Sequence, residues 1–282
     1  MIPPHLIAPA VRAALAEDLG HGGDPTSQAV VPAGTRVTAT VAARAPGRLC
    51  GVPLAAETFR ATDPAAAITV HRADGEAVAA GDACLTVAGD ARALLAAERT
   101  ALNFLGHLSG IATATAELVA LAAPHGTRIA ETRKTTPGLR GLEKAAVRAG
   151  GGHNHRFGLD DAVMIKDNHR ALADPADGLA ALVDRARERV GHTVTVTVEV
   201  ESLAELDAVL TARPDVVLLD NMDPPTLAEA VRRTRGRAVT EASGGITLDT
   251  AAAIAASGVD VISVGWLTHS APALDVGLDV TS

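Results

Sequence analysis

The sequence predicts an α/β protein, in which a small and mostly antiparallel N-terminal part precedes an incomplete parallel α/β barrel. From residue 128 onward, short runs rich in Val and Ile alternate strictly with helical stretches. That alternation is typical of right-handed βαβ units. The candidate strands number about six, short of the eight of a full barrel. Between residues 35 and 90 the runs alternate in polarity and are punctuated by Gly and Pro, which predicts antiparallel strands.

The N-terminal part is expected to contain helices beside its sheet. Helical patterns lie near residues 8–18 and 53–62, and the run 36–41 alternates as a strand does. A long Ala- and Leu-rich helical pattern, 91–123, leads out of this part. The sheet is therefore predicted to be flanked by helices.

The barrel strands are apolar along their whole length, as expected when helices cover both faces of a sheet. The predicted strands are 128–132, 162–166, 194–200, 216–220, 238–242 and 260–265. The helical stretches between them lie near 139–149, 175–190, 202–212, 225–234 and 247–256.

Composition excludes several classes of protein. The 282 residues are 48% hydrophobic with a formal net charge of −8, which argues against a general nucleic-acid binder because phosphate contacts need clustered Lys and Arg. No apolar run approaches the ~18–20 residues of a membrane span. The N-terminus lacks the basic and apolar regions of a secretory signal. We therefore expect a cytoplasmic protein without a membrane partner.

The two cysteines, Cys50 and Cys84, lie far apart and outside any C-x-x-C pattern. This spacing excludes a disulfide framework and a four-cysteine zinc site. Both are expected to be reduced thiols in the core.

Polar or glycine-rich residues stand at the end of every predicted barrel strand. In a parallel barrel, reactive groups project from the C-terminal ends of the strands. One such ending is ordinary, but six in succession predict a functional site. In chain order these residues are Thr132-Arg133-Lys134, Lys166-Asp167-Asn168-His169, Glu199 and Glu201, Asp220-Asn221, Ser243-Gly244-Gly245, and Gly265.

A basic cluster lies within this acidic chain. Residues 128–170 hold nine Lys and Arg against five Asp and Glu, a net charge of +4. Such a cluster predicts a pocket for a polyanion. The pocket candidates lie at turns and strand ends: Arg133, Lys134, Arg156 and Lys166. Three others have helical spacing and favour surface salt bridges: Arg140, Lys144 and Arg148.

A glycine-rich loop, Gly150–Arg156, carries His153 and His155 as an H-x-H pair. Glycines allow backbone to approach a ligand closely. A transition-metal site is disfavoured because no cysteine lies nearby and the carboxylates lie on other strands. Hydrogen bonding of the histidines to an anionic substrate is the favoured interpretation.

The phosphate loop, Ser243-Gly244-Gly245, precedes a helix predicted to start near Thr247. Backbone N–H groups and a helix N-terminus bind phosphate together. Barrels often build such a site from the loops after their last two strands. Gly265 supplies the second of these loops.

Ten segments, in order along nearly the whole chain, form a specific pattern. They are Glu17-Asp18, Gly23-Asp24-Pro25-Thr26, Glu98–Asn103, Glu131–Thr135 with Pro137-Gly138, Gly150–Gly158, Ile165–His169, Val198–Glu201, Leu219–Asn221, Ala242–Gly245 and Gly265–His269. This pattern resembles the quinolinate phosphoribosyltransferase family, also called the carboxylating nicotinate-nucleotide pyrophosphorylases. Two positions depart from it: Pro25 replaces a usual aliphatic residue, and Trp266 replaces a usual small one.

The resemblance implies a type II phosphoribosyltransferase-like fold with three parts. An N-terminal α/β sandwich is expected over 1–108 and an α/β barrel catalytic domain over 109–270. A C-terminal segment, 271–282, would return to the N-terminal domain with a strand around 274–280. The family is dimeric, so the resemblance implies a homodimer, with higher assembly left open. In it the partner's N-terminal domain covers each barrel mouth and Arg99 reaches into the other subunit's site.

The resemblance also implies roles for the strand-end residues. Lys134, Lys166, Glu199 and Asp220 would be catalytic. The two carboxylates of quinolinate would meet Arg133, His155, Arg156 and Lys166, with Arg99 from the partner. Lys134 and Lys166 would meet pyrophosphate, and Glu199 and Asp220 would hold the ribose hydroxyls and Mg²⁺. The 5′-phosphate would be bound by Ser243, Gly244, Gly245 and Gly265. Thr132, Val264 and Trp266 complete the expected substrate-binding set.

The implied activity is that of a pentosyltransferase, a glycosyltransferase of NAD biosynthesis. Quinolinate and phosphoribosyl pyrophosphate would give nicotinate mononucleotide, pyrophosphate and carbon dioxide, with Mg²⁺ as cofactor. Three alternatives stay open. A molybdenum-transport-associated sister group shares the layout but lacks a basic residue at Lys166. A Schiff-base aldolase would use Lys166, and a non-enzymatic anion-binding protein would not need Glu199 and Asp220.

Overall fold

The computed structural model describes residues 2–174 and 176–281. The chain divides into two compact units. The first comprises Met1–Ala116, Thr135–Gly151 and Leu267–Ser282, and the second comprises Glu117–Lys134 and Gly152–Trp266. The domain boundaries predicted from the sequence stay a prediction. Residues 1, 175 and 282 lie outside the described residues; they include the first and last residues of the predicted domains and the start of the predicted helix 175–190.

Helices and strands follow the predicted order. The α-helices are α1 (Pro4–Leu19), α2 (Pro25–Val30), α3 (Val52–Thr62), α4 (Ala91–Ala122), α5 (Arg140–Ala149), α6 (Asp167–Leu172), α7 (Leu179–Arg189), α8 (Leu203–Thr211), α9 (Pro224–Thr234), α10 (Leu248–Ala256) and α11 (Trp266–His269). The strands are β1 (Arg36–Ala43), β2 (Gly47–Arg48), β3 (Ala67–Val70), β4 (Ala77–Val78), β5 (Ala83–Asp90), β6 (Arg128–Ala130), β7 (Val163–Ile165), β8 (Val196–Val200), β9 (Val216–Asp220), β10 (Val239–Ser243), β11 (Val261–Ser263) and β12 (Val276–Thr281).

The first unit is built on a four-stranded antiparallel sheet in the order β12-β1-β5-β3. β1 pairs with β5 on one side and with β12 on the other, so the last strand of the chain completes this sheet. Val41, Phe59 and Leu85 are fully buried in its core. The predicted antiparallel sheet and the return of the last strand to it are confirmed.

Helix α4 approaches the segment before β12 at a glycine. A Cβ atom added to Gly110 would lie 2.1 Å from the carbonyl oxygen of Pro272 and 3.0 Å from the α-carbon of Ala273. One turn earlier, the carbonyl of Gly106 accepts a hydrogen bond of 2.9 Å from the N–H of Leu274. The close approach of two backbones therefore depends on the missing side chain of Gly110.

We expect Gly110→Ala to lower the free energy of unfolding by about 1–3 kcal/mol, the usual cost of overpacking a tight interior. The added methyl group meets backbone atoms, which cannot move aside as a flexible side chain can. Urea denaturation followed by circular dichroism measures the change. Gly191→Ala is the control, because a Cβ at Gly191 has no heavy atom within 4 Å. Equal stability of the two variants would contradict the prediction.

Helix α5 is enclosed on more than one face, since six consecutive residues from Leu142 to Val147 are buried. Lys144 is among them and is 0% exposed, so the surface salt bridge expected for it is wrong. The neighbouring Glu143 is also 0% exposed. Its carboxylate accepts from the N–H of Thr136 (3.1 Å) and lies 3.0 Å from Nε2 of His107.

The second unit contains a six-stranded sheet, and every pairing in it is parallel. Its strand order is β6-β11-β10-β9-β8-β7. The two edge strands, β6 and β7, follow each other in the chain and do not pair with each other within the described residues. The predicted incomplete parallel α/β barrel is confirmed. Along the whole chain, three short helices were not predicted, namely α2, α6 and α11.

Among the described residues, one helical stretch is long and apolar enough to cross a membrane by length and composition alone. Ala91–His125 contains an 18-residue window of mean hydropathy 1.3. The expectation that no segment reaches that length is wrong, because alanines dominate this helix and charged residues are few. Since 61% of the window is buried inside the structure, the stretch has the character of a core helix.

Candidate active site

Most predicted site residues lie at one edge of the parallel sheet in the second unit. The carboxyl ends of parallel strands meet at the same edge. Asp220 ends β9, Ser243 ends β10, and Lys166 follows β7 directly. Strand pairing places Ile165 beside Val198 and Asp220 beside Ser243. The six predicted strand endings therefore belong to one edge of one sheet.

Lys166 and Glu199 form an ion pair at this edge. The ammonium of Lys166 binds the Oε2 atom of Glu199. The Glu199 side chain is only 8% exposed, whereas that of Lys166 is 41% exposed. A buried carboxylate requires such a partner, because removal of its hydration shell is costly. The backbone N–H of Lys166 donates to Nδ1 of His169 (3.0 Å), which fixes the chain where α6 begins.

Arg133 and Arg156 bring two guanidinium groups close together. Burial lowers the pKa of Arg156, and the nearby positive charge of Arg133 lowers it further. Nη1 of Arg156 donates to the carbonyl of Ala162 (2.8 Å), which holds the side chain in place. Arginine stays protonated despite such shifts. Two neighbouring, partly buried cations attract an anion, and guanidinium groups bind carboxylates through paired hydrogen bonds.

His155 lies close to two buried acidic residues that were not predicted to belong to the site. Its backbone N–H donates to Oε1 of Glu131 (3.0 Å), and its Nε2 lies 3.3 Å from Oε1 of Glu241. Glu131 is 0% exposed and Glu241 is 5% exposed. Both could have been noticed as acids within or directly after apolar strands, because charged residues are rarely buried unless they are paired.

The phosphate loop has the backbone shape that anion binding requires. Gly244 and Gly245 have φ angles of +92° and +60°. Thr247 is the N-cap of α10, so the predicted helix start is confirmed. The loop packs on Asn221, whose N–H donates to the carbonyl of Ser243 (2.9 Å). Consecutive N–H groups in such a conformation form a concave site for anions, beside the positive end of a helix.

We expect Gly244→Ala to raise the dissociation constant for a phosphate monoester about 10-fold or more, because overpacking at a glycine with a left-handed backbone costs ~1–3 kcal/mol. The new Cβ atom would lie 2.1 Å from Oδ1 and 2.9 Å from the backbone nitrogen of Asn221. Isothermal titration calorimetry with a phosphate monoester measures this change. Gly258→Ala is a matched control with φ +87°, whose nearest contact is a side-chain atom at 3.7 Å. A similar dissociation constant in both variants would contradict the prediction.

Asp220 and Glu199 place two carboxylates on the neighbouring strands β9 and β8. Nδ2 of Asn221 donates to Oδ2 of Asp220 (2.7 Å). In the part of the chain that the structure describes, no group of three or more His, Cys, Asp or Glu could hold a metal. Mg²⁺ typically uses one or two carboxylates together with substrate phosphates and waters. The donor set therefore fits Mg²⁺ carried by a phosphorylated substrate.

The other predicted residues have varied positions. Arg99 is exposed on α4 in the first unit, and His153 and Glu201 are exposed in the second. Oγ1 of Thr132 accepts from the N–H of Lys134 (3.0 Å) and so shapes the turn after β6. Val264 is buried. Nε1 of Trp266 donates to the carbonyl of Ile246 (2.8 Å), which ties the loop after β11 to the segment that follows the phosphate loop.

Comparison with known proteins gives matches along nearly the whole chain. Residues 24–109 match the family model described as the N-terminal domain of quinolinate phosphoribosyl transferase, and residues 111–279 match that of the C-terminal domain. The carboxylating nicotinate-nucleotide pyrophosphorylase of Mycobacterium leprae is 45% identical over 279 residues, covering 96% of this chain and 95% of the relative. A Bacillus subtilis protein with the same name, marked probable, is 42% identical over 265 residues, covering 94% and 90%. The solved nicotinate-nucleotide pyrophosphorylase of Francisella tularensis superposes with a TM-score of 0.93 at 40% identity, covering 100% of this chain and 98% of that one.

Proposed function

The chain belongs to the quinolinate phosphoribosyltransferase family, and from this membership we propose that it joins quinolinate to phosphoribosyl pyrophosphate. The products are nicotinate mononucleotide, pyrophosphate and carbon dioxide. The protein is thus a pentosyltransferase of NAD biosynthesis.

The observation that carries this proposal is the pairing of two anion sites at one edge of the sheet. Arg133 and Arg156 bring two neighbouring guanidinium groups, as a dicarboxylate requires. The phosphate loop offers backbone N–H groups at positive φ beside α10, as a phosphate monoester requires. Quinolinate and phosphoribosyl pyrophosphate carry these two kinds of anion.

The reaction needs electrostatic stabilisation more than proton transfer. The bond from ribose C1 to pyrophosphate breaks, and pyrophosphate leaves with the electron pair. The lone pair of the pyridine nitrogen then forms the new bond to C1. The 2-carboxylate departs as carbon dioxide, leaving its bonding electrons on the ring carbon beside the positive nitrogen, and that carbon takes up a proton. Oriented charges are the largest contribution that a protein makes to such steps.

The ionic side chains have complementary tasks in this scheme. Positive charge develops on the ribose as pyrophosphate leaves, and the carboxylates of Glu199 and Asp220 stabilise it. The ammonium groups of Lys134 and Lys166 offset the negative charge that builds up on pyrophosphate. The ion pair between Lys166 and Glu199 keeps both groups fixed before the substrate arrives.

In this proposal Mg²⁺ binds together with phosphoribosyl pyrophosphate. When bound, it would neutralise charge on the leaving pyrophosphate. Asp220 and Glu199 are the carboxylates that would hold it. Their own task is to fix the position of the ribose hydroxyls by accepting hydrogen bonds.

The rival functions have less support. A Schiff-base aldolase needs an uncharged lysine amine, but the Lys166 ammonium forms an ion pair with Glu199. The molybdenum-transport-associated group would lack the basic side chain at this position. An anion-binding protein would have no use for Glu199 and Asp220 beside a cationic pocket.

We also propose that the working enzyme is a cytoplasmic homodimer in which Arg99 completes the partner's site. Arg99 is exposed on α4, where it is accessible to a second copy. Mixing inactive Arg99→Ala and Arg133→Ala proteins after co-refolding should restore about a quarter of the wild-type activity, since half of randomly paired dimers regain one of two sites. Mixing Arg133→Ala with Lys166→Met is the control. Each of these changes damages the site of the subunit that carries it, so a mixed dimer has no intact site. Equal activity in the two mixtures would exclude a shared site.

A coupled assay tests the proposed function directly. Purified protein is given quinolinate, phosphoribosyl pyrophosphate and Mg²⁺, and both nicotinate mononucleotide and carbon dioxide are followed. Turnover with quinolinate but not with nicotinate is expected, because the pocket is matched to two carboxylates. Parallel reactions with EDTA test the need for Mg²⁺. A folded protein that turns over no quinolinate would favour the molybdenum-associated alternative.

A further inference from the structure

Glu241 is a buried acidic residue to which the proposed mechanism gives no task. It lies in the middle of β10, and its side chain is 6% exposed. Strand pairing places it in one row with Leu218 of β9 and Val261 of β11. Glu199 pairs with the same Leu218 from the other side. Laterally paired residues of parallel strands project to the same face of a sheet, so two buried carboxylates flank Leu218.

Each of these two carboxylates faces one basic residue of the site. Glu199 binds the ammonium of Lys166, and Glu241 lies 3.3 Å from Nε2 of His155. Among the described residues, Oε1 of Glu241 has no hydrogen-bond partner, because its geometry with His155 falls short of a full hydrogen bond. Burying a carboxylate oxygen without a hydrogen bond costs free energy of folding. This cost indicates that Glu241 serves a function at this position.

The protonation of the His155 ring follows from its other contact. The backbone N–H of Arg156 donates to Nδ1 of His155 at 2.7 Å. A backbone N–H can only donate, so Nδ1 is the acceptor and carries no proton. The neutral ring then holds its proton on Nε2, the atom that faces Glu241. The backbone of His155 is held by Glu131 through a separate hydrogen bond of 3.0 Å.

We propose that Glu241 is a positioning residue that keeps His155 in the Nε2–H tautomer and turns that N–H toward the site. In this state His155 offers a donor to a substrate carboxylate, whereas the other tautomer would present a lone pair and repel it. The negative charge of Glu241 favours a proton on the nearer nitrogen. The inference rests on the proposed function, since it assigns His155 to the binding of quinolinate.

The first test uses the wild-type protein and needs no substrate. Long-range proton–nitrogen NMR spectra of the imidazole rings distinguish the two tautomers, and the loss of one signal set in His155→Gln assigns the ring. We expect His155 to carry its proton on Nε2. A proton on Nδ1 would overturn the proposal, whatever the enzyme's activity.

The second test uses kinetics of two Glu241 variants. Glu241→Leu removes the negative charge at similar size. We expect the KM for quinolinate to rise about 10-fold or more, as when the partner that orients a metal-binding histidine is lost. The KM for phosphoribosyl pyrophosphate should stay within about 2-fold. Glu241→Gln keeps the size and polarity of the side chain but not its charge, and should restore only part of the KM for quinolinate. Glu229→Leu is the control, because Glu229 lies on α9, is only partly buried and pairs with Arg232 and Arg233 of the same helix.

The outcomes separate the two hypotheses. If the wild-type protein shows no turnover, the proposed function fails, while the NMR result stands on its own. If the wild-type protein is active but Glu241→Leu leaves the KM for quinolinate and the His155 tautomer unchanged, the positioning role is wrong. The NMR test on the wild type decides the proposal if Glu241→Leu does not fold. An equal rise of both KM values would indicate a purely structural role and would also contradict the proposal.

Discussion

Replacement of Arg133 by alanine is expected to lower kcat/KM for quinolinate about 100- to 1,000-fold. Truncating one partner of a desolvated charge pair typically costs ~3–4 kcal/mol of binding free energy, which corresponds to this change. Arg133 is partly buried beside Arg156, and its charge is close enough to depress the pKa of Arg156. Removing one of two neighbouring guanidinium groups leaves one quinolinate carboxylate without its paired donors. The KM for phosphoribosyl pyrophosphate should change much less, since the phosphate loop is intact.

The variant Arg133→Lys sharpens this test. Lysine keeps the charge but lacks the planar fork that binds a carboxylate through two parallel hydrogen bonds, so it should recover only part of the loss. Arg232→Ala is the control, because Arg232 lies on α9 with a side chain that is 64% exposed. Near-normal turnover of quinolinate by Arg133→Ala would remove Arg133 from the substrate site.

Replacement of Lys166 by methionine is expected to reduce kcat about 100- to 1,000-fold, the usual effect of losing one oriented charge from an active site. It should also lower the free energy of unfolding by about 1–3 kcal/mol, less than for a fully buried pair because Lys166 is 41% exposed. The loss of stability arises because Glu199 then lies buried without its ammonium partner. Steady-state kinetics and urea denaturation measure the two effects separately.

The double variant Lys166→Met/Glu199→Gln distinguishes catalysis from stability. Once the Glu199 charge is also removed, most of the lost stability should return, but the activity should not. The surface pair Arg185–Asp177, with side chains 53% and 19% exposed, is the control. Its double variant Arg185→Met/Asp177→Asn should change stability by less than about 1 kcal/mol and leave turnover unchanged. Recovery of activity in the Lys166/Glu199 double variant would show that the two charges serve only the fold.

The order of the barrel elements could be predicted because burial on both faces of a parallel sheet leaves a strong pattern. The predicted strand 216–220 agrees with β9, and the predicted helix 225–234 differs from α9 by one residue. Helix α6 was missed because Lys166-Asp167-Asn168-His169 has no apolar periodicity. Its first turn is held by local hydrogen bonds, from the N–H of Lys166 to His169 and from the N–H of Arg170 to the carbonyl of Lys166. Helix α2 could have been found from Asp24-Pro25, an N-cap followed by a proline in the first turn.

The candidate site could be located from the sequence, but its supporting contacts could not. Strand endings reveal which residues share an edge, because parallel strands run in one direction. They do not reveal which acid faces which base, since that depends on strand register and on the path of loops. The pairing of His155 with Glu241 joins residues far apart in the chain. Burial of Lys144 was missed for a related reason, since α5 is enclosed on more than one face.

The hydrogen bond from Trp266 to the carbonyl of Ile246 has a practical consequence. Trp266 is the only tryptophan of the chain, and the sequence contains no tyrosine. Its indole is half-buried and tied to the residue directly after the phosphate loop. All of the protein's intrinsic emission above the weak phenylalanine contribution therefore comes from one fluorophore beside that loop. A titration with a phosphorylated ligand can be followed through this emission on the unlabelled protein, without a mutation or an attached dye.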